Sequence, residues 1–70
     1  MHVYEDVRVP AELVPHVIGA GGRHLKRLLR KHGCRVTIKD NVARVQGTAD
    51  ARQKFHDLLF RVFEQQADAR

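Results

Sequence analysis

The sequence predicts an α+β domain of order β-α-α-β-β-α, with three strands in one antiparallel sheet and the helices packed on a single face. Three observations predict it. Runs near residues 3–9, 34–39 and 42–46 alternate apolar and other residues with a period of two. Residues 23–32 and the segment after Thr48 carry apolar stripes at helical spacing. Between the first strand and the first of those stripes, a short apolar helix runs into the turn Gly19-Ala20-Gly21-Gly22.

Each element follows from local chemistry. Val3, Val7 and Val9 alternate with Tyr4, Asp6 and Arg8, so this strand has one buried face, and Pro10 ends it. Pro15 cannot sit inside a helix, but at the first helical turn its missing N–H costs nothing, which places a helix from about Val14 to Ile18. After the glycine turn, Leu25, Leu28, Leu29 and His32 form an apolar stripe, with Lys26, Arg27, Arg30 and Lys31 over the rest of the surface. On this stripe His32 is expected to be packed or to cap the helix end. Gly33 suits the left-handed position that stops the helix. Cys34 to Lys39 is the next strand, with Val36 and Ile38 on one face. Asp40-Asn41 turns the chain tightly into Val42 to Gln46, whose Ala43 and Val45 face inward. Thr48 is the expected N-cap of the last helix, with Asp50 in its first turn. Ala51, Phe55, Leu58, Leu59 and Val62 form that helix's core stripe, and fraying is expected over Ala67 to Arg70.

Seventy residues make one domain, spanning 1–70 with its core at about 3–66. A chain of this size buries only about 60% of its unfolded surface. Its single cysteine, Cys34, excludes an intramolecular disulfide and reads as a small buried hydrophobe in a reducing compartment. Glu5 and Asp6 stand where a signal peptide needs an apolar run, and no stretch approaches the ~20 apolar residues of a membrane span. The expectation is a soluble intracellular domain without a membrane partner, cytoplasmic or nuclear.

The net charge of +5 is concentrated. Residues 1–18 carry −2 and residues 45–70 carry 0, whereas residues 19–44 hold eight basic side chains against Asp40 alone, a net +7. The excess therefore sits in the glycine turn, the helix after it and the next hairpin. Glycines let a backbone approach something closely, and the positive end of the following helix, with Arg23 beside it, makes that something anionic. A basic patch around such a turn is the footprint of a polyanion.

Enzymatic readings find little support. Gly19-Ala20-Gly21 opens like a dinucleotide fingerprint, but His24 stands in the third glycine's place, and the Gly-Lys-Ser/Thr of a P-loop is missing. His2, His16, His24, His32 and His56 are scattered, without partners at catalytic or metal-ligand spacing. No catalytic residue, metal site or cofactor is expected.

Val7-Arg8-Val9-Pro10, Leu13-Val14, Val17-Ile18-Gly19-x-x-Gly22, Leu25-Lys26, Leu28, Gly33, Val36-x-Ile38, Val45-x-Gly47 and the amphipathic last helix together resemble a type I K-homology (KH) domain. The resemblance runs from about Val3 to Gln66, and the short Asp40-Asn41 loop is similar to the compact KH domains of polynucleotide-phosphorylase-type proteins. It implies a single-stranded RNA or DNA partner of about four nucleotides, clamped by its backbone at the G-x-x-G turn. By the same resemblance Gly19, Ala20, Gly21, Gly22 and Arg23 meet phosphates. Val14, Val17, Ile18, Leu25, Val36 and Ile38 line an aliphatic groove for bases, flanked by Lys26 and Arg35. The family usually places Lys or Arg between the two glycines, where this chain has Ala20 and Gly21, so the expected affinity is weak.

Two other functions share some of these features. A helix-hairpin-helix module grips duplex DNA with a similar turn, although it needs no β-hairpin such as residues 35–46 form. A KH-like scaffold that contacts protein is the other. Phe60 lies roughly 140° around the last helix from Phe55. It is either an isolated exposed aromatic or part of a weak homodimer contact through the last helix and first strand, as some KH domains make; the expected state is monomer or weak homodimer.

Overall fold

The computed structural model describes residues 3–68. Strand β1 (Val3–Arg8) leads through a 3-10 turn at Ala11–Leu13 into helix α1 (Val14–Ile18). A second 3-10 turn, Ala20–Gly22, joins it to α2 (Arg23–His32), followed by β2 (Arg35–Lys39), β3 (Val42–Gly47) and α3 (Ala49–Asp68). This is the expected β-α-α-β-β-α order. Residues 69–70, part of the segment expected to fray, lie outside the described residues, as does His2.

The sheet order is β1-β3-β2, all antiparallel, so the last strand in sequence is the central one. Directly opposed residues share a face of a sheet. Val45 lies between Glu5 and Val36, and Ala43 between Val7 and Ile38, which defines the face that the helices cover. Ala43 and Val45 are fully buried there, together with Val9, Val17, Cys34 and Phe55. Leu13, Leu28, Ala51 and Val62 complete the core.

The chain's punctuation sits where local chemistry puts it. Pro15 is in the first turn of α1. Gly33 has φ 66° and returns its N–H to Leu29 O at 3.0 Å. Asp40 and Asn41 both take positive φ (53° and 63°), the backbone of a type I′ hairpin turn. Thr48 Oγ1 accepts the N–H of Ala51 at 3.1 Å, so it caps α3.

Three details depart from the sequence reading. Val3 is 47% exposed although it belongs to the inner parity of β1, and the half-buried residue beside it on that face is Glu5. Its carboxylate lies 3.5 Å from Arg52 Nη1 and 3.2 Å from His56 Nε2, both on α3. Leu29 is also exposed, at 46%, because the apolar arc of α2 is wider than the surface its neighbours cover. His32 neither packs nor caps: it is exposed, and Gly33 alone ends the helix.

Candidate nucleic-acid interface

The turn between α1 and α2 is built from backbone that only glycine adopts readily. Gly19 has φ 79° and ψ 167°, and Gly21 and Gly22 have φ 63° and 79°. A Cβ on Gly19 would stand 3.0 Å from His24 Cγ and 3.1 Å from both His24 N and Nδ1. That ring is itself held, because its Nδ1 donates to the carbonyl oxygen of His16 at 3.0 Å. His24 therefore ties the first turn of α2 to α1 and braces the glycine loop beside it. Sequence reasoning used His24 only to reject a dinucleotide fingerprint, and a contact across eight residues leaves no periodic signal that could have found it.

The loop's own hydrogen bonds decide which amides a ligand can reach. Gly19 N–H donates to Pro15 O at 2.9 Å and Gly22 N–H to Gly19 O at 3.0 Å. Arg23 N–H donates to Ala20 O. Three of the five amides expected to meet phosphate are thus engaged inside the turn. The N–H groups of Ala20 and Gly21 make no hydrogen bond to any described residue, and both residues are exposed. The expectation of a five-amide clamp contracts to these two.

Around them the charge is dense. Ala20 and Gly21 border an open hollow of ≈ 460 Å³ walled by Arg23, Lys26, Arg27, Arg30 and Lys31. At 100° per residue these five side chains fall within an arc of about 140°, the whole outer face of α2. Among the described residues none of them has a carboxylate within 4.0 Å. Unpaired cations beside open amides give a positive potential with no internal anion to neutralise it.

The aliphatic residues divide. Val14, Ile18, Leu25, Val36 and Ile38 are half-buried and keep surface for a ligand. Val17 is 0% exposed, a core residue beneath α1, so as placed here it supports the trough without touching a base. Arg35, expected to flank the aliphatic groove with Lys26, leaves β2 on the face opposite Val36 and Ile38, beside Leu29, Gly33 and Gln46. Both placements follow from tertiary packing and strand parity.

Among the described residues no group of three or more His, Cys, Asp or Glu side chains is placed to hold a metal ion, and no helix is long and apolar enough to cross a membrane. Burial pushes the Cys34 thiol above its ordinary value, with the charge of Glu5 adding to the shift. On the outer face of the sheet Asp6 receives Arg44 Nε at 3.0 Å and Nη2 at 3.3 Å, which holds its carboxyl below the usual range and raises Arg44 in turn. The Arg44 guanidinium also lies 4.4 Å from the centre of the Tyr4 ring.

An α-helical pair joined by a Gly-x-x-Gly turn, followed by a hairpin that places its second strand in the middle of the sheet, defines the type I KH fold. The sequence profile described as "KH domain" matches residues 4–60, most of the chain, and the protein belongs to that family. KH domains are nucleic-acid-binding modules without catalysis of their own. The sheet and the family match together set aside the helix-hairpin-helix architecture. No curated protein matches the chain.

Proposed function

We propose that this domain binds single-stranded RNA or DNA of about four nucleotides without catalysing a reaction. The sugar–phosphate backbone lies against Ala20 and Gly21, whose amides are open, and beside Arg23 and Lys26. The bases lie over Val14, Ile18, Leu25, Val36 and Ile38. Val17 supports that surface from below. No Trp occurs in the chain, and the trough residues are all aliphatic, so bases rest on methyl groups, with strand backbone reading their edges.

The observation that carries this reading is the coincidence of two free amides, unpaired cations and a half-exposed aliphatic surface around one turn. With no basic residue between Gly19 and Gly22, affinity is weak, micromolar or poorer at physiological salt. An amide chemical-shift titration with randomised four-base RNA and DNA tests it. Shifts concentrated on residues 14–26 and 36–38 are expected. Shifts confined to the outer sheet face, or none at millimolar oligonucleotide, would sink the proposal and return the protein-contacting scaffold.

A further inference from the structure

The outer face of α2 borders a second cavity that the G-x-x-G reading does not use. Between α2 and α3 lies a cleft of ≈ 320 Å³ whose charged lining consists of Arg27, Lys31, Lys54 and Arg61. His24 and His32 also border it, and Leu28, Leu58 and Val62 form its floor. No carboxylate lines it, and none of the four cations has one within 4.0 Å among the described residues. Lys54, Leu58, Arg61 and Gln65 follow one another at i, i+4, i+7 and i+11, so α3 presents a single row to the cleft. The α3 acids that flank that row are Asp50 and Asp57, four residues before Lys54 and Arg61 and about 40° around the helix from them, and Glu64, three after Arg61 and about 60° around. All three lie on the side away from the apolar floor, and none comes within 4.0 Å of either cation. Asp57 is further occupied by Gln53 Nε2 at 3.1 Å.

A cleft whose charged lining is entirely cationic repels itself when empty, and it is relieved by an anion. Its position says which anion. Arg27 and Lys31 border both this cleft and the hollow at the glycine turn, so the two basic surfaces are one continuous track over α2. The lining holds no Phe, Tyr or Trp; its only rings are the imidazoles of His24, held by its bond to the His16 carbonyl, and His32. Four point charges beside so little stacking surface suit a chain of phosphates read without regard to sequence.

We infer that the α2–α3 cleft is a second, sequence-independent phosphate site that receives the backbone of a single strand extending past the four nucleotides held at the turn. This rests on the reading of the turn as the primary site. The domain is therefore length-sensitive: a strand that reaches Lys54 and Arg61 binds tighter than one that ends at the turn, and the gain is electrostatic.

The test compares randomised RNA of four and twelve nucleotides by fluorescence anisotropy across a salt series. It uses the wild type, Lys54→Gln/Arg61→Gln and Ala20→Asp/Gly21→Asp, each checked for its fold by circular dichroism. A twelve-nucleotide strand offers about nine registers for a four-nucleotide site, a purely statistical gain. The wild type is expected to exceed that gain by about tenfold. The glutamine pair is expected to return the twelve-mer to the statistical gain and leave the four-mer within about twofold. It should also lower the twelve-mer salt slope by about 1.4, the loss of two single-strand phosphate contacts at ~0.7 each. An unchanged length gain in the glutamine pair overturns the cleft while the turn site stands. An equal loss for both strand lengths also overturns it, since the two cations then act only through net charge. Binding of polyglutamate at the cleft in preference to the twelve-mer assigns it to acidic protein. If Ala20→Asp/Gly21→Asp binds both strands as the wild type does, the reading of the turn fails and the cleft proposal with it.

Discussion

His24 Nδ1 lies 3.0 Å from the carbonyl oxygen of His16, and the same imidazole ring closes over the bare Cα of Gly19. One side chain thus sets both the approach of α1 to α2 and the space left for residue 19. The glycine turn is held by this surface contact at its α2 end and leaves Ala20 and Gly21 exposed.

This arrangement ranks the glycines. Gly19→Ala meets a positive φ, an extended ψ reserved for glycine, and a ring at 3.0 Å. It is expected to cost about 1–3 kcal/mol in urea denaturation. Gly21→Ala has the αL backbone (φ 63°, ψ 19°) and nothing within 4 Å of the new methyl, so about 1 kcal/mol is expected. The reverse order would show that the His24 ring is not fixed over the turn.

The two-residue hairpin offers a gain. Asn41 has φ 63° and its carbonyl accepts the N–H of Val9 at 2.8 Å, a bond that any residue can make. Asn41→Gly removes the left-handed penalty in a type I′ turn and is expected to raise stability by about 0.5–1 kcal/mol. A lower urea midpoint at unchanged m-value would contradict the turn geometry.

Asp6 and Arg44 oppose one another across β1 and β3. Because the folded-state carboxyl is held below its ordinary value by the Arg44 hydrogen bond, the pair's contribution is present above that ordinary value, about 3.9. It is lost as pH falls through the folded value. Asp6→Asn should therefore flatten the acid limb of a stability–pH profile below about pH 4 and leave its shape unchanged at pH 6–8. An effect confined to neutral or alkaline pH would contradict the assignment.

Cys34 is fully buried and its thiol is pushed upward by that burial. Ellman's reagent is expected to react slowly with the native protein at pH 7–8 and at the rate of a free thiol in denaturant. Fast modification of the native state would place the sulfur at the surface. The raised value also means that any stability it contributes is present below the unfolded thiol value and fades as pH rises through the folded one.

Phe60 is 65% exposed on the side of α3 away from its core stripe, and Phe63, 46% exposed, borders that stripe one turn after Leu59. Phe60→Ser is expected to leave thermal stability within about 0.5 kcal/mol. Sedimentation at tens of micromolar is expected to give monomer, or a weak dimer that this substitution abolishes. A dimer that survives Phe60→Ser would put the contact elsewhere.

The element order, the Pro15 helix start, the Gly33 stop, the Asp40-Asn41 turn and the Thr48 cap were legible in the sequence, because each depends on the φ/ψ preference or hydrogen-bonding reach of residues within a few positions. The concentration of charge over residues 19–44 was legible for the same reason: it is a count. Contacts across long separations were not. The placing of β3 at the centre, the Glu5 contacts with Arg52 and His56, and the hold of His24 on His16 join residues 8 to 51 positions apart. The burial of Val17 was settled by packing, since periodicity gives a residue its face but not what covers that face. The face of Arg35, opposite Val36 and Ile38, is the one strand alternation gives it. The turn amides of Gly19, Gly22 and Arg23 are engaged by carbonyls three or four residues back, which a side-chain pattern does not encode. Local sequence thus determined which segments are helix, strand and turn. The tertiary structure decided which amides, cations and methyl groups of those segments remain open to a ligand, because accessibility is what is left over after every other part of the chain has been packed.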